Sequence, residues 1–205
     1  MKTFSYEAAA PFTVTEGRSR VTLKDAALSA RRLLAFVFLL VIFMLAARPI
    51  ADPDFWWHLR TGQFIWETRT IPHSDIFSSV FYGREWVAHE WLSEAVMYGV
   101  YNLCGYGGLV VFFALLITAA MWIAYRRCAE VAGHVYVIGF ALVLGALTAS
   151  PTWGVRPQMF SFLFASIFIA VLGAYARGTQ SVSVWWLIPL TILWVNMHAG
   201  FALGL

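Results

Sequence analysis

The chain has 205 residues, 60% apolar and only 12% charged, with 14 Lys and Arg against 11 Asp and Glu for a net charge of +3. A soluble domain typically carries about 25% charged residues, so this chain lacks the polar surface to be one, and its composition equally excludes a disordered chain or a disulfide-stapled secreted module. The weak, scattered positive charge leaves no footprint for nucleic acid, whereas the apolar runs between charge clusters match the hydrocarbon thickness of a bilayer.

Residues 1–32 are a polar tail in which Lys2, Arg18, Arg20, Lys24, Arg31 and Arg32 outnumber Glu7, Glu16 and Asp25. Leu33–Ala47 is then unbroken apolar sequence. The long preceding segment and the lack of an A-x-A cleavage site speak for a retained span over 33–50 rather than a signal peptide. Arg48 is expected to snorkel to the interface, and the basic tail puts the N-terminus in the cytoplasm.

Residues 51–106 form the expected external loop. Between 51 and 94 it holds Asp52, Asp54, Glu67, Asp75, Glu85, Glu90 and Glu94 against Arg60, Arg69 and Arg84, a net charge of −4. Trp56, Trp57, Trp66, Trp86 and Trp91 in the same stretch argue against disorder. Asp52 suits a helix N-cap and Pro53 the first helical position. Phe55, Leu59, Gly62 and Trp66 then share one face, predicting a helix in the outer interface with its aromatics in the headgroup zone. A Gly83-centred segment reads as a short hairpin, and His89–Leu103 as a second helix that places Glu90 and Glu94 on one face.

Four further spans are expected within 107–205. Gly107–Tyr125 stops at Arg126-Arg127, Val135–Ser150 at Pro151, and Met159–Ala176 at Arg177, while Val184–Leu205 opens on the aromatic anchor Trp185-Trp186. With the N-terminus inside, Arg126, Arg127 and Arg177 all fall on the cytoplasmic side. Cys104 and Cys128 then lie across the membrane from each other, out of disulfide reach. The apolar ending Phe201–Leu205 suggests a longer polytopic protein. The fold class is therefore all-α and polytopic, with about five transmembrane helices in the cytoplasmic (inner) membrane.

Several polar residues need more than a packing explanation. Asp52 is accounted for by capping, but Asp54 is a second carboxylate directly after a membrane exit, with His58 four residues on along the same face. His89-Glu90 lacks the second histidine of H-E-x-x-H, so a metalloprotease is disfavoured. Carboxylates such as Asp52 and Glu90 still suit a hard divalent cation, Mg or Mn. Arg156-Pro157-Gln158 sits at a helix start, where guanidinium and free N–H groups converge on anions. Asn196 and His198 interrupt an apolar span, and polar residues there face a protein interior or a cavity. In one topology all these groups belong to the outer half, which is the expected position of a shared pocket.

The segments Asp52-Pro-Asp-Phe-Trp-Trp-His-Leu-Arg-Thr-Gly62, Ile71–Ser78, Gly83–Glu94, Arg156–Ser161 and Trp194–Gly200 resemble those of a family of large, mostly uncharacterised bacterial multi-pass proteins. The arrangement is in turn similar to the GT-C superfamily of membrane glycosyltransferases, with a first span followed by a large acidic external loop. That resemblance implies transfer of a sugar from a polyprenyl-phosphate carrier outside the cytoplasmic membrane. Asp54 would be the general base with His58 beside it, and Trp57 would stack on the sugar or anchor the helix. His89, Arg156, Gln158, Asn196 and His198 would bind substrate, with Arg156 or a metal on the carboxylates stabilising the leaving phosphate. Other membrane subunits are possible partners. GT-C enzymes have eight or more spans, so the chain is also readable as an N-terminal fragment. The alternative is a non-catalytic subunit, a lipid-binding protein or a transporter component.

Overall fold

The computed structural model describes residues 23–131, 134–178 and 183–204; the basic positions Lys2, Arg18 and Arg20 of the expected cytoplasmic tail lie outside them. The described residues form an all-α architecture: α1 (Leu23–Ala46), α2 (Phe55–Thr68), α3 (Trp91–Val131), α4 (Val135–Ala149), α5 (Gln158–Ala176) and α6 (Leu187–Val195), with short 3₁₀ turns between and after them. Among the described residues there is no strand, and the expected hairpin is reduced to one antiparallel bridge, Ser74 to Glu85. Asp75 organises that turn instead, its Oδ1 accepting from the N–H groups of Phe77 and Ser78 at 2.9 Å each.

α3 is the hub, against which α1, α2, α4 and α5 all pack. Leu109, Phe113 and Ile117 recur every four residues and are fully buried, the stripe that a helix needs to face a core. Ile42 from α1, Phe160 and Phe164 from α5 and Trp194 from α6 complete that core. The outer faces carry exposed Phe36, Val41, Phe140, Leu147, Ile169 and Ile192. A water-facing surface rarely keeps so many large apolar side chains together, whereas hydrocarbon accepts them without cost.

Three helical stretches are long and apolar enough to cross a membrane: Trp91–Val131, Val135–Thr152 and Gln158–Ala176. α1 is a fourth long helix, 24 residues including the apolar run from Leu33. It stops at Ala46, short of the expected Ile50. Pro49 lacks an N–H and biases the residue before it towards extended backbone. Arg48 does not reach outward as expected. It turns back to cap carbonyls, donating from Nε to Leu45 O and from Nη1 to Ser150 O, each 2.8 Å.

The second expected juxtamembrane helix forms, and a kink inside α3 separates it from the span that follows. The junction is Gly105, at φ 63° and ψ −163°, a conformation essentially reserved for glycine. Cys104 and Cys128 both lie on α3 and are free, about 36 Å apart at 1.5 Å per residue. The expected span Val184–Leu205 is not one helix either. α6 ends at Val195 and the chain resumes as a 3₁₀ turn at Ala199–Gly204. The break is satisfied by α3, whose Leu92 N–H donates to Asn196 O at 3.2 Å and whose Trp91 Nε1 donates to Asn196 Oδ1 at 2.9 Å. Unwound backbone at membrane depth is tolerated only when protein supplies such partners.

α2 buries Phe55, Leu59 and Gly62 against the start of α3, while Trp56, Trp57 and Trp66 stay exposed. Trp66 donates from Nε1 to Ala95 O at 2.8 Å. Gly62 sets the approach: a Cβ there would fall on the carbonyl oxygen of Glu94 and within 2.8 Å of Tyr98 Cβ. Gly62→Ala is therefore expected to destabilise the chain by about 1–3 kcal/mol through overpacking, against a helix-propensity gain of about 1 kcal/mol. Gly139→Ala, where nothing lies within 4 Å of the new methyl, should be neutral or stabilising. Thermal unfolding of both variants in detergent checks the contrast, and equal midpoints would contradict it.

Candidate functional site

Glu90 sits just before α3 and Glu94 in its first turn, one helical turn apart. Their shared face follows from that spacing, and Glu94 N–H donates to Glu90 O at 3.1 Å. The close α2–α3 contact at Gly62 brings His58, four residues earlier on α2, over this pair. His58 Nδ1 lies 3.0 Å from Glu94 Oε1 and 3.6 Å from Glu90 Oε2. From the opposite side, His89 Nε2 and His198 Nε2 lie 3.6 Å and 3.5 Å from Glu90 Oε1. Three histidines thus converge on one carboxylate.

These groups are held away from water. Side-chain exposure is 14% for Glu90 and His58 and 3% for Glu94, while His89 remains 59% exposed and is the member facing solvent. Burial raises the Glu90 carboxyl above the ordinary glutamate range, and the Glu94 charge adds to this; His58, His89 and Arg156 pull in the other direction. Glu90 accordingly holds a proton more readily than an exposed glutamate does.

His198 is fixed by a relay. Trp194 Nε1 donates to Ser161 Oγ at 2.7 Å, and Ser161 Oγ lies 2.7 Å from His198 Nδ1. With the indole hydrogen on its oxygen, the serine hydroxyl is left to donate to that nitrogen. Gly200 N–H also donates to Nδ1, at 2.9 Å. A ring nitrogen that accepts twice carries no proton, so in the neutral ring the hydrogen is on Nε2, aimed at Glu90. His198 Nε2 is held 3.5 Å from Glu90 Oε1, within ion-pair reach.

His58, Glu90 and Glu94 can each turn one donor atom to a common point, these atoms lying within 4.8 Å of one another. Glu94 Oε2 is buried and has no hydrogen-bond partner among the described residues. A buried orphan oxygen is costly, and a cation would satisfy it, so the residues fit a divalent metal. One imidazole with two carboxylates suits Mn2+ better than Mg2+, which prefers all-oxygen shells. Beside the cluster, Arg156 is ion-paired with Asp52. Both line a cleft of about 310 Å³ with Arg48, Pro49, Pro151 and Trp153.

Of the residues singled out in the sequence, His58, His89, Glu90 and His198 come together, with Arg156 and Asp52 paired next to them. Asp52 spends its other oxygen on the Asp54 N–H at 3.1 Å, the capping role expected of it, and is not in the ligand triad. Asp54 is exposed, and its carboxylate makes no hydrogen bond or ion pair among the described residues. Trp57 packs edge-on against Phe77 and Trp86 at 5.3 Å and 5.1 Å. Gln158 donates to Thr152 O at 2.9 Å, and Asn196 is committed to Trp91 and to Ile192 O. Glu94, expected only to share a helix face with Glu90, and Ser161 were not assigned to the site beforehand. Glu94 had a usable signal, a carboxylate four residues after Glu90 at a helix start; Ser161 had none, because its role depends on a residue 37 positions away.

No family model, no curated protein and no solved structure matches the chain.

Mn2+ added to the purified chain should bind at this cluster, observed as loss of the free-ion EPR signal. Glu94→Gln is expected to weaken binding by about 100-fold, and Ser161→Ala by about 10-fold through loss of the hydrogen bond that positions His198 beside Glu90. Asp54→Asn should leave it unchanged. Binding untouched by Glu94→Gln would remove the triad as the site.

Proposed function

We propose that the chain is a membrane glycosyltransferase, or the N-terminal part of one, that transfers a sugar from a polyprenyl-phosphate carrier at the outer face of the cytoplasmic membrane. The observation that carries this reading is the meeting of His58, Glu90 and Glu94 on the helical segment that precedes Gly105 and the apolar span, next to a cleft that holds two arginines. A lipid-linked sugar keeps its reactive carbon at the bilayer surface, so groups acting on it have to sit at a membrane exit. An apolar groove of about 310 Å³ between Pro49, Ile50, Phe55, Trp56, Tyr106 and Val110 is suited to the first isoprene units.

A divalent cation on the triad would supply Lewis-acid stabilisation of the departing phosphate. Arg48 and Arg156 add fixed positive charge on the adjacent cleft wall. His89, the exposed member, takes the proton of the acceptor hydroxyl at Nε2 while its Nδ1 faces Val87 O at 3.4 Å. The acceptor oxygen then bonds to the anomeric carbon, the bond from that carbon to the phosphate oxygen breaks, and polyprenyl phosphate leaves with the bonding pair. His198 and Ser161 hold Glu90 in register and touch no reacting atom.

The test is release of polyprenyl phosphate from a radiolabelled polyprenyl-phosphate hexose by the purified chain with Mn2+ and an oligosaccharide acceptor. His89→Ala should lower the rate by about 10²–10⁴-fold with Mn2+ binding intact, while Glu94→Gln should lose both. Loss of release in Asp54→Asn with normal activity in His89→Ala would transfer the base role to Asp54. No release by a chain that binds Mn2+ would overturn the enzymatic reading in favour of a non-catalytic lipid-binding subunit.

A further inference from the structure

The far end of α3 carries a second charged recess, unrelated to the Glu90 cluster. Arg127 Nη1 and Arg177 Nη2 both donate to the same oxygen, Glu130 Oε2, at 2.6 Å and 2.9 Å. Arg126 lies over the Trp122 ring, 5.7 Å from its centroid, and Trp122 stacks on Tyr125 with centroids 5.5 Å apart and planes 13° from parallel. Two guanidinium groups therefore share one carboxylate, and Arg126, Arg127 and Glu130 line a hollow of about 240 Å³ between α3 and α5, leaving a positive excess.

Topological charge alone needs arginines in water beyond the span, not a buried one. Arg127 is only 18% exposed, and its Nε is buried with no hydrogen-bond partner among the described residues. The facing helix makes room for it: a Cβ on Gly173 would come within 3.0 Å of Arg127 Cζ and 3.4 Å of Arg177 Nη1. A planar guanidinium fork with an unused N–H matches phosphate oxygens, and basic pockets between transmembrane helices are where anionic headgroups dock.

We propose that this recess binds the phosphate of an anionic phospholipid headgroup. The phosphate oxygens accept from Arg127 Nε and Arg126, and Glu130 is the competing internal anion that the ligand must outbid. The opposing effects of removing Arg127 and removing Glu130 make the assignment testable. The full chain in detergent is equilibrated with equal phosphatidylglycerol and phosphatidylcholine, and retained lipid is read by native mass spectrometry. Phosphatidylglycerol should be retained preferentially. Arg127→Gln should lower that preference by about five- to tenfold, from a contribution on the order of 1 kcal/mol per arginine, with Arg126→Gln, an exposed position, as the variant safe for folding. Glu130→Gln should raise it, which a purely structural ion cluster would not do. Equal retention of the two lipids, or a preference unmoved by all three variants, would overturn the proposal. Displacement by excess inorganic phosphate with no lipid discrimination would overturn the lipid and leave a free-phosphate site.

Discussion

The contact between Gly62 and the Glu94 carbonyl is the constraint on which the site depends. Two helices approach this closely only where one of them presents no side chain. Because His58 lies one turn before Gly62, the same approach delivers its imidazole to the carboxylates. Packing and chemistry are thus one event: the helix pair cannot loosen without separating the nitrogen from both glutamates. α2 is therefore tied to the protein core by one face, while its other face keeps Trp56 exposed.

A second consequence concerns the end of the chain. A continuous helix through Val184–Leu205 would satisfy every backbone group internally, which is the cheaper arrangement in lipid. The chain unwinds at Asn196 instead, and the cost is offset by Leu92 and Trp91 from α3 and by the relay that ends at His198. The unwound stretch is what turns His198 towards Glu90. Fixing the tautomer of a histidine through a buried tryptophan and serine is also a means of keeping Glu90 oriented with no loss of charge at the cluster.

Legibility in the sequence followed the range of the interactions. Helix type and the approximate limits of α3, α4 and α5 are local properties of apolar runs, arginine stops and Pro151, and they were readable. So was the convergence of His58, Glu90 and His198, because topology alone assigns them to one side. What sequence could not convey was which carboxylate faces inward. Asp54 and Glu94 are equally plausible as residues; the difference is that α2 turns Asp54 to the outside, whereas Gly62 seats the helix over Glu94. The helix break at Asn196 was equally hidden, since two polar residues in an apolar run are compatible with an intact span until the partners on α3 are known.

The two ends of α3 show how one helix separates two electrostatic tasks. Between Glu94 and Arg126 its sequence carries no charged side chain, so the two clusters are held apart by the full length of the apolar span. At the Glu90 end, negative charge is concentrated and buried, which favours gaining a proton or a cation. At the Glu130 end the balance is reversed, with guanidinium groups in excess of carboxylate. Under the positive-inside rule this charge difference favours a cytoplasmic basic end, which is the orientation that the proposed function requires.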